Sequence, residues 1–458
     1  MLRAIVFFAV VAALSFLVAW LADNPGAATV VWQGYRIETS VSFLLGAVAI
    51  IAVVIASAWR VLSLVRGLPR RIRRARHAIR RRRGYLALTR GMVAVAAGDA
   101  DEAARQVRRA DALLDEPPLT LLLSAQAAQL SGDETAAQRF FTTMLTRRET
   151  EFLGVRGLLT QSMKHHDWEQ ALRHARRAYR LRPGSGWVAA NLFELQIRAK
   201  QWLDAEATVS ESVKRKHLPA PEGRRLRAVL KHLRDLQAEA AGDLGQSAAL
   251  ANQANRSDPG FIPGAVRLAR LLLGKGRRRR ALHVVEKTWA INPHPRLLEV
   301  YRAATAPQTP LDTVAAVERL ARLNPDHMES RFVVAAAAAE AQLWDRARGR
   351  LGDLTDAAPA KVYRLFAEIE ERQSGDPARG HEWLIRASRA EPDAIWVCGK
   401  CDAHVSEWIP VCPRCESFAS FVWASPAPAP ALTGPEVRGR EIVNEGRREL
   451  PAVGRDGG

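Results

Sequence analysis

Two stretches near the start of the chain contain no charged residue: 4–22 (AIVFFAVVAALSFLVAWLA) and 41–58 (VSFLLGAVAIIAVVIASA). At a rise of about 1.5 Å per residue, each run spans about 27–29 Å, the thickness of a bilayer's hydrocarbon core. Neither shows the polar stripe of a helix packed on a soluble core, so the pattern predicts a two-helix transmembrane hairpin over 1–59. The polarity changes between the runs, in the loop 23–40. Asp23-Asn24-Pro25-Gly26 is a turn signal, and Thr29-Val30-Val31-Trp32 and Tyr35-Arg36-Ile37-Glu38-Thr39 flank Gln33-Gly34, which predicts a small β-hairpin. Trp32 and Tyr35 suit a membrane interface. The alternative is a cleaved signal peptide. A cut after Ala22 would place Trp20 where a small residue is usual, which weighs against it.

Beyond residue 84 the pattern becomes helical and periodic. Asp99, Asp133 and Asp167 lie 34 residues apart, with Gln201 at the next step, and Ala103, Ala137, Ala171 and Ala205 keep the same interval. The surrounding strings are alike: GDADEAARQ, GDETAAQRF, HDWEQALRH and KQWLDAEAT, then GDLGQSAAL, GKGRRRRAL, AQLWDRARG and GDPARGHEW. A proline follows the small residue by twelve positions at Pro183, Pro259, Pro293 and Pro359. Two antiparallel helices per repeat explain these markers. The Gly-Asp pair turns the chain, the small residue admits a neighbouring helix, and the proline ends the second helix. One such pair cannot bury its own apolar face, so pairs must stack. The strings resemble degenerate tetratricopeptide repeats, whose period is 34, and predict eight or nine copies over 84–392, irregular near 205–242 and 294–325. The fold class is therefore all-α. That resemblance implies a groove for peptides or protein partners.

Charge modifies this picture in one place. The formal net charge is +19, but residues 60–98 hold twelve arginines and no acid, which leaves +7 for the remainder. The segment 60–83 is thus an arginine-rich juxtamembrane stretch. It fixes orientation by the positive-inside rule and attracts anionic lipid. It places the N-terminus and the repeats in the cytoplasm and loop 23–40 in the periplasm, as a multi-pass membrane protein. No aromatic residue interleaves the arginines between Trp59 and Tyr85, so a nucleic-acid partner is not expected.

Catalytic signatures are missing: there is no GxxxxGK[ST], GxSxG, HExxH or CxxCH string, and a non-enzyme is expected. His165-His166 falls on an inter-helix turn, and Trp168, Trp202 and Trp344 recur near one repeat position as packing residues. The eleven histidines form no pocket pattern, so no residue is assigned to a bound cofactor.

All four cysteines fall within eighteen residues, as Cys398-Gly399-Lys400-Cys401 and Cys412-Pro413-Arg414-Cys415. Two CxxC turns complete a tetrahedral thiolate shell, and the prediction is a metal knuckle over 393–424 with Cys398, Cys401, Cys412 and Cys415 as ligands. A closed shell leaves no position for metal-bound water, so the role is structural. Zinc is expected, with rubredoxin-type iron and paired disulfides as alternatives. Trp396, Trp408, Phe418, Phe421 and Trp423 can supply a miniature core, and the knuckle is expected to dock on the repeats or on a partner. Residues 425–458, opening SPAPAPALTGPEV, read as a disordered tail.

The order of these parts is distinctive. The stretch Val31-Trp32-Gln33-Gly34-Tyr35-Arg36-Ile37-Glu38-Thr39-Ser40, set between two spans and ahead of an arginine block, resembles the HemY family of bacterial inner-membrane proteins. The likeness extends over residues 1–200. It implies an association with late haem biosynthesis, hence a membrane scaffold that gathers haem-biosynthesis enzymes or hands on porphyrins. The C-terminal knuckle departs from that pattern and resembles the rubredoxin-type domain of LapB, a single-span tetratricopeptide protein regulating lipopolysaccharide synthesis. That likeness implies an alternative role as an adaptor controlling the turnover of an envelope enzyme.

Overall fold

The computed structural model describes residues 26–114, 117–352, 358–375 and 377–426, with scattered positions between 8 and 23. The expected first span at 4–22 lies largely outside the described residues, and the expected tail lies outside them from residue 427 onward. The chain divides into two compact units, Met1–Leu158 and Leu159–Gly458.

The first unit opens with β1 (Ala27–Trp32) and β2 (Tyr35–Ser40), antiparallel with Trp32 opposite Tyr35 and Ala27 opposite Ser40. Gln33 and Gly34 both have positive φ, 51° and 89°, the turn whose twist matches that of the flanking strands. The predicted hairpin is therefore present, with strands slightly longer than the sequence pattern marks.

Helix α1 (Val41–Ala97) follows directly, its first turn capped by the Ser40 hydroxyl, which accepts from the Phe43 N–H at 3.3 Å. Its 57 residues make a rod about 86 Å long. One window, Phe43–Leu62, has a mean hydropathy of 2.2 and none of it is buried against protein, so it is long and apolar enough to cross a membrane. The same helix runs without a break through the arginine-rich segment and supplies the first helix of the repeats. It ends at Gly98, where φ is 80°.

The remaining helices of this unit are α2 (Ala100–Leu113), α3 (Pro117–Leu130), α4 (Glu134–Met144) and the start of α5 (Glu151–Lys164). The second unit continues through α6 (Trp168–Leu181), α7 (Gly186–Arg198), α8 (Trp202–Lys214), α9 (Ala220–Ala240) and α10 (Leu244–Ser257). It then runs through α11 (Ile262–Gly274), α12 (Arg278–Trp289), α13 (Pro295–Thr305) and α14 (Pro310–Ala321). The last four helices are α15 (Met328–Glu340), α16 (Trp344–Gly352), α17 (Ala360–Ser374) and α18 (Pro377–Arg389). With the end of α1 counted as a first helix, nine helix pairs follow one another among the described residues.

The repeat markers have a common geometry. Asp99, Asp133, Asp167 and Asp243 are N-caps of second helices, each side chain accepting from the N–H three residues on at 2.8–3.0 Å. The residue before each cap is left-handed: glycine at 98, 132 and 242, His166 in the third copy, and Lys200 before Gln201. The small residue four beyond each cap position is fully buried at Ala103, Ala137, Ala171, Ala205, Ser247, Ala281 and Ala347. Close approach also fixes Gly157, because a Cβ there would lie 2.3 Å from the Phe141 ring. The irregular stretches have simple causes. Helix α9 has 21 residues against 13 in α7 and α8, and α13 and α14 shrink to 11 and 12 around a left-handed Ala306.

After α18, β3 (Ile395–Cys398), β4 (His404–Val405) and β5 (Phe421–Ala424) form an antiparallel sheet with β3 central. This sheet shares its core with the helices. Trp396, Cys398, Cys412 and Phe421 are buried in one cluster with Ile262, Val266, Trp289, Leu297 and Val300.

Candidate metal centre and its docking face

The sheet and two tight turns bring the four cysteines together. In the first turn the Asp402 N–H donates to the Cys398 carbonyl at 3.0 Å and the Cys398 N–H to the Ala403 carbonyl at 2.7 Å. In the second, the Glu416 N–H donates to Cys412 at 2.9 Å and the Cys412 N–H to Ser417 at 3.0 Å. Asp402 and Glu416 are both left-handed, with φ of 55° and 57°. The two turns are thus the same structure used twice, fourteen residues apart.

All four Sγ atoms lie within 4.8 Å of one another. Cys398 and Cys415 are separated by 3.7 Å, and Cys401 and Cys412 by 3.6 Å. Four sulfurs held about 2.3 Å from one tetrahedral ion would be spaced about 3.8 Å apart, so the cage has the dimensions and the donor chemistry for a single metal ion. Cys398 and Cys412 are buried, Cys401 is half-buried and Cys415 is exposed.

The surroundings favour thiolates unevenly. Burial opposes charge on Cys398, but the Ser420 and Ser417 hydroxyls and the N–H groups of Lys400 and Cys401 hold its thiol down to about 5. Cys415 is lowered by the Ser417 hydroxyl and N–H. Cys401 receives the Ala403 N–H, yet burial and its three neighbouring sulfurs push it up to about 12. Four thiols in this space compete for negative charge, and a central cation is what lets all four ionise together.

The structure corrects one expectation about the knuckle. The five aromatics do not close on themselves as a private core; among them only Trp396 and Trp423 form a ring pair, at 5.4 Å. The knuckle's rings pack outward on the helices of successive repeats. Phe418 meets Phe193 of α7 at 5.8 Å and stacks on Trp202 of α8 at 6.5 Å. Trp408 meets His232 of α9 at 5.9 Å and Phe261, the N-cap residue of α11, at 5.2 Å. Trp396 and Trp423 enclose His294 at the start of α13, at 5.3 and 4.2 Å. So few residues cannot bury five large rings internally, and the first-helix face supplies the missing surface.

Polar contacts fix the register. Arg198 pairs with Glu416 and lies 3.9 Å over the Trp168 ring. Arg296 pairs with Glu407 at 2.8 Å, and Arg225 donates to the Phe421 carbonyl at 3.2 Å. Arg198 also holds the Glu416 carboxyl below its usual range by hydrogen bonding. Two cavities remain at this junction, of about 370 and 320 Å³, both lined by Trp396, Trp408 and Trp423.

Buried histidines are the feature that sequence reasoning missed. His232 and His294 are each pushed down to about 4, mainly by burial. His294 Nδ1 accepts the Arg296 N–H at 3.0 Å, so Nε2 carries the proton, and that nitrogen is buried without a hydrogen-bond partner among the described residues. Neither histidine stands in a motif; the one available signal was His294 flanked by Pro293 and Pro295 in Asn-Pro-His-Pro at a repeat boundary. His165 and His166 sit on the expected turn, where His166 is left-handed and packs edge-on to Trp168 at 5.2 Å. Trp168, Trp202 and Trp344 pack into the repeat cores, as expected.

Comparison with known proteins adds three findings. The family profile described as "HemY protein N-terminus" matches residues 26–132, and a tetratricopeptide repeat profile matches 162–230. A probable magnetosome protein, Mms48 of Magnetospirillum gryphiswaldense, is 27% identical over 442 residues, covering 92% of this chain and 93% of its own. Among solved structures, Naa15/Naa10 bound to HypK-THB aligns at 13% identity and a TM-score of 0.38, over 67% of this chain and 51% of that one. The C-terminal part of a repeat-containing protein from Cytophaga hutchinsonii aligns at 12% identity and a TM-score of 0.31, over 54% and 86%.

Proposed function

We propose that this HemY-like tetratricopeptide-repeat protein is a non-enzymatic adaptor, anchored in the bacterial inner membrane, that gathers protein partners on its cytoplasmic repeats. The observation that carries the reading is the junction in α1, where one helix joins the Phe43–Leu62 apolar window to the first repeat. A rod of that kind presents the repeats next to the bilayer. Its arginine-rich middle, 60–83, faces the cytoplasm by the positive-inside rule and contacts anionic lipid. The first span, 4–22, completes a multi-pass hairpin with loop 23–40 in the periplasm.

The HemY-like N-terminus makes late haem-biosynthesis enzymes the first partners to seek. The match to the Magnetospirillum gryphiswaldense protein over nearly the whole chain favours a second reading, in which the partners belong to a magnetosome-type assembly. Cys398, Cys401, Cys412 and Cys415 hold one structural zinc, which keeps the knuckle closed and seated on α7–α13. The porphyrin profile of cells depleted of the protein distinguishes the readings. Accumulated late porphyrins, reversed by the wild-type gene, support the haem assignment. An unchanged profile removes it and directs the partner search to the second reading.

A further inference from the structure

The second unit carries one groove that the adaptor reading does not yet use. It lies between α10, α11 and α12 and has a volume of about 480 Å³. Its rim is formed by Arg256, Lys275, Arg277, Arg279 and Arg280. Its floor is aliphatic, with Leu268 buried and Leu271 and Leu272 half-buried. No carboxylate lines it, and none of the five rim cations has an ion pair among the described residues.

The neighbouring arginines behave differently. Arg267 pairs with Asp235 and Glu239, Arg270 with Glu299, and Arg278, inside the same run of four, donates to the Ala304 carbonyl. The chain therefore pairs Arg267 and Arg270 with carboxylates, gives Arg278 a carbonyl acceptor, and leaves the rim cations without an ion pair among the described residues. The local cost is visible in the repeat pattern. Where Asp99, Asp133, Asp167 and Asp243 cap second helices, Arg277 stands at the cap of α12 with no side-chain cap bond, and the first turn of α12 has no acid. Cations at a helix N-terminus oppose the helix dipole and repel one another. An external anionic ligand would remove both penalties.

We infer that this groove docks a short acidic, leucine-bearing segment of a protein partner. Carboxylates meet the rim, and alternate aliphatic side chains reach the leucine floor. The inference rests on the adaptor reading and names one of its docking sites. Nucleic acid fits less well, because no Phe, Tyr or Trp lines the groove and His283 is the one ring in its lining, which gives no platform for stacking successive bases. A flat lipid surface fits less well, because the leucines lie beneath the rim and not level with it.

The test is fluorescence polarisation with the full-length protein in detergent micelles. The probes are a fluorescein-labelled octapeptide of alternating Glu and Leu, its Lys-Leu counterpart, a single-stranded oligonucleotide and phosphatidylglycerol nanodiscs. The Glu-Leu peptide should bind, weaken as salt is raised, and lose at least tenfold in affinity in the triple variant Arg277→Glu, Arg279→Glu, Arg280→Glu. The triple lysine variant should retain binding, since charge and not bidentate geometry is invoked, and unchanged circular dichroism shows that both variants fold. Failure of the Glu-Leu peptide to bind overturns the inference. So does equal binding by the charge-reversed variant, or tighter rim-dependent binding of the oligonucleotide or nanodiscs. Partner recovery in cells that fails despite peptide binding would instead count against the adaptor reading and leave the groove assignment standing.

Discussion

Two surfaces of the second unit, drawn from overlapping helices, handle arginine in opposite ways. On the first-helix face of α7–α13, Arg198 and Arg296 meet Glu416 and Glu407 of the knuckle, and Trp408 and Phe418 cover the apolar surface between them. At the α10–α12 groove, the rim cations have no such partners among the described residues. In a repeat protein the first-helix face is the usual candidate for a partner groove. Here the chain fills part of that face with its own C-terminal knuckle, and the surface left open is cationic. A repeat count alone therefore does not say which face is free to bind.

The largest effect should come from the thiolate cage, because structural zinc contributes on the order of 10 kcal/mol to the folding of small domains. Cys412→Ser removes a buried ligand. Metal analysis should fall from about one ion per chain to a small fraction of that, and trypsin should then cut within 393–424. Full metal content in the variant would break the assignment. Trp408→Ala comes next. It strips the ring that contacts His232 and Phe261 and should cost roughly 3 kcal/mol in the urea unfolding of the second unit. A change below about 0.5 kcal/mol, the level of an unconnected surface site, would mean that the docked face adds no stability.

Acid should act on the same face. His232 and His294 titrate near 4 in the folded protein and near 6.5 when unfolded, so the unfolded chain takes up protons first as pH falls. Their contribution is complete above about pH 6.5 and is lost as pH drops through about 4. Asp235 and Arg267 face His232, and Arg296 and Lys361 face His294. His232→Gln should lose less stability than wild type between pH 7 and pH 4.5, by chemical denaturation at each pH. Parallel curves would contradict this. The smallest effect belongs to the open groove. Arg277→Asp installs the cap used at Asp99, Asp133, Asp167 and Asp243 and should stabilise the second unit by about 1 kcal/mol. A loss of stability there would show that the arginine has an unrecognised structural role.

Much of this was readable in the sequence because the signals are local. The hairpin at 27–40 follows from Gln33-Gly34 between alternating strands, and the repeat from Gly-Asp and a small residue at fixed spacing. Each reflects one backbone geometry, a left-handed residue followed by a capped helix. The four sulfurs came together because CxxC spacing dictates its own turn. What remained hidden depends on contacts distant in the chain. Nothing near Phe418 names Phe193 or Trp202, and nothing near Glu416 names Arg198. Helix α9, at 21 residues, shifts the repeat register, and only the packed structure shows that Trp408 then falls opposite His232.

The central claim, that a metal-closed knuckle sits on the first-helix face, is tested most directly by hydrogen–deuterium exchange of the full-length protein with and without a chelator. Metal removal should speed exchange in 395–424 and, in the same samples, in the segments of α7, α9 and α11 around Phe193, Val229 and Ile262. Faster exchange confined to 395–424, with those helices unchanged, would contradict the claim.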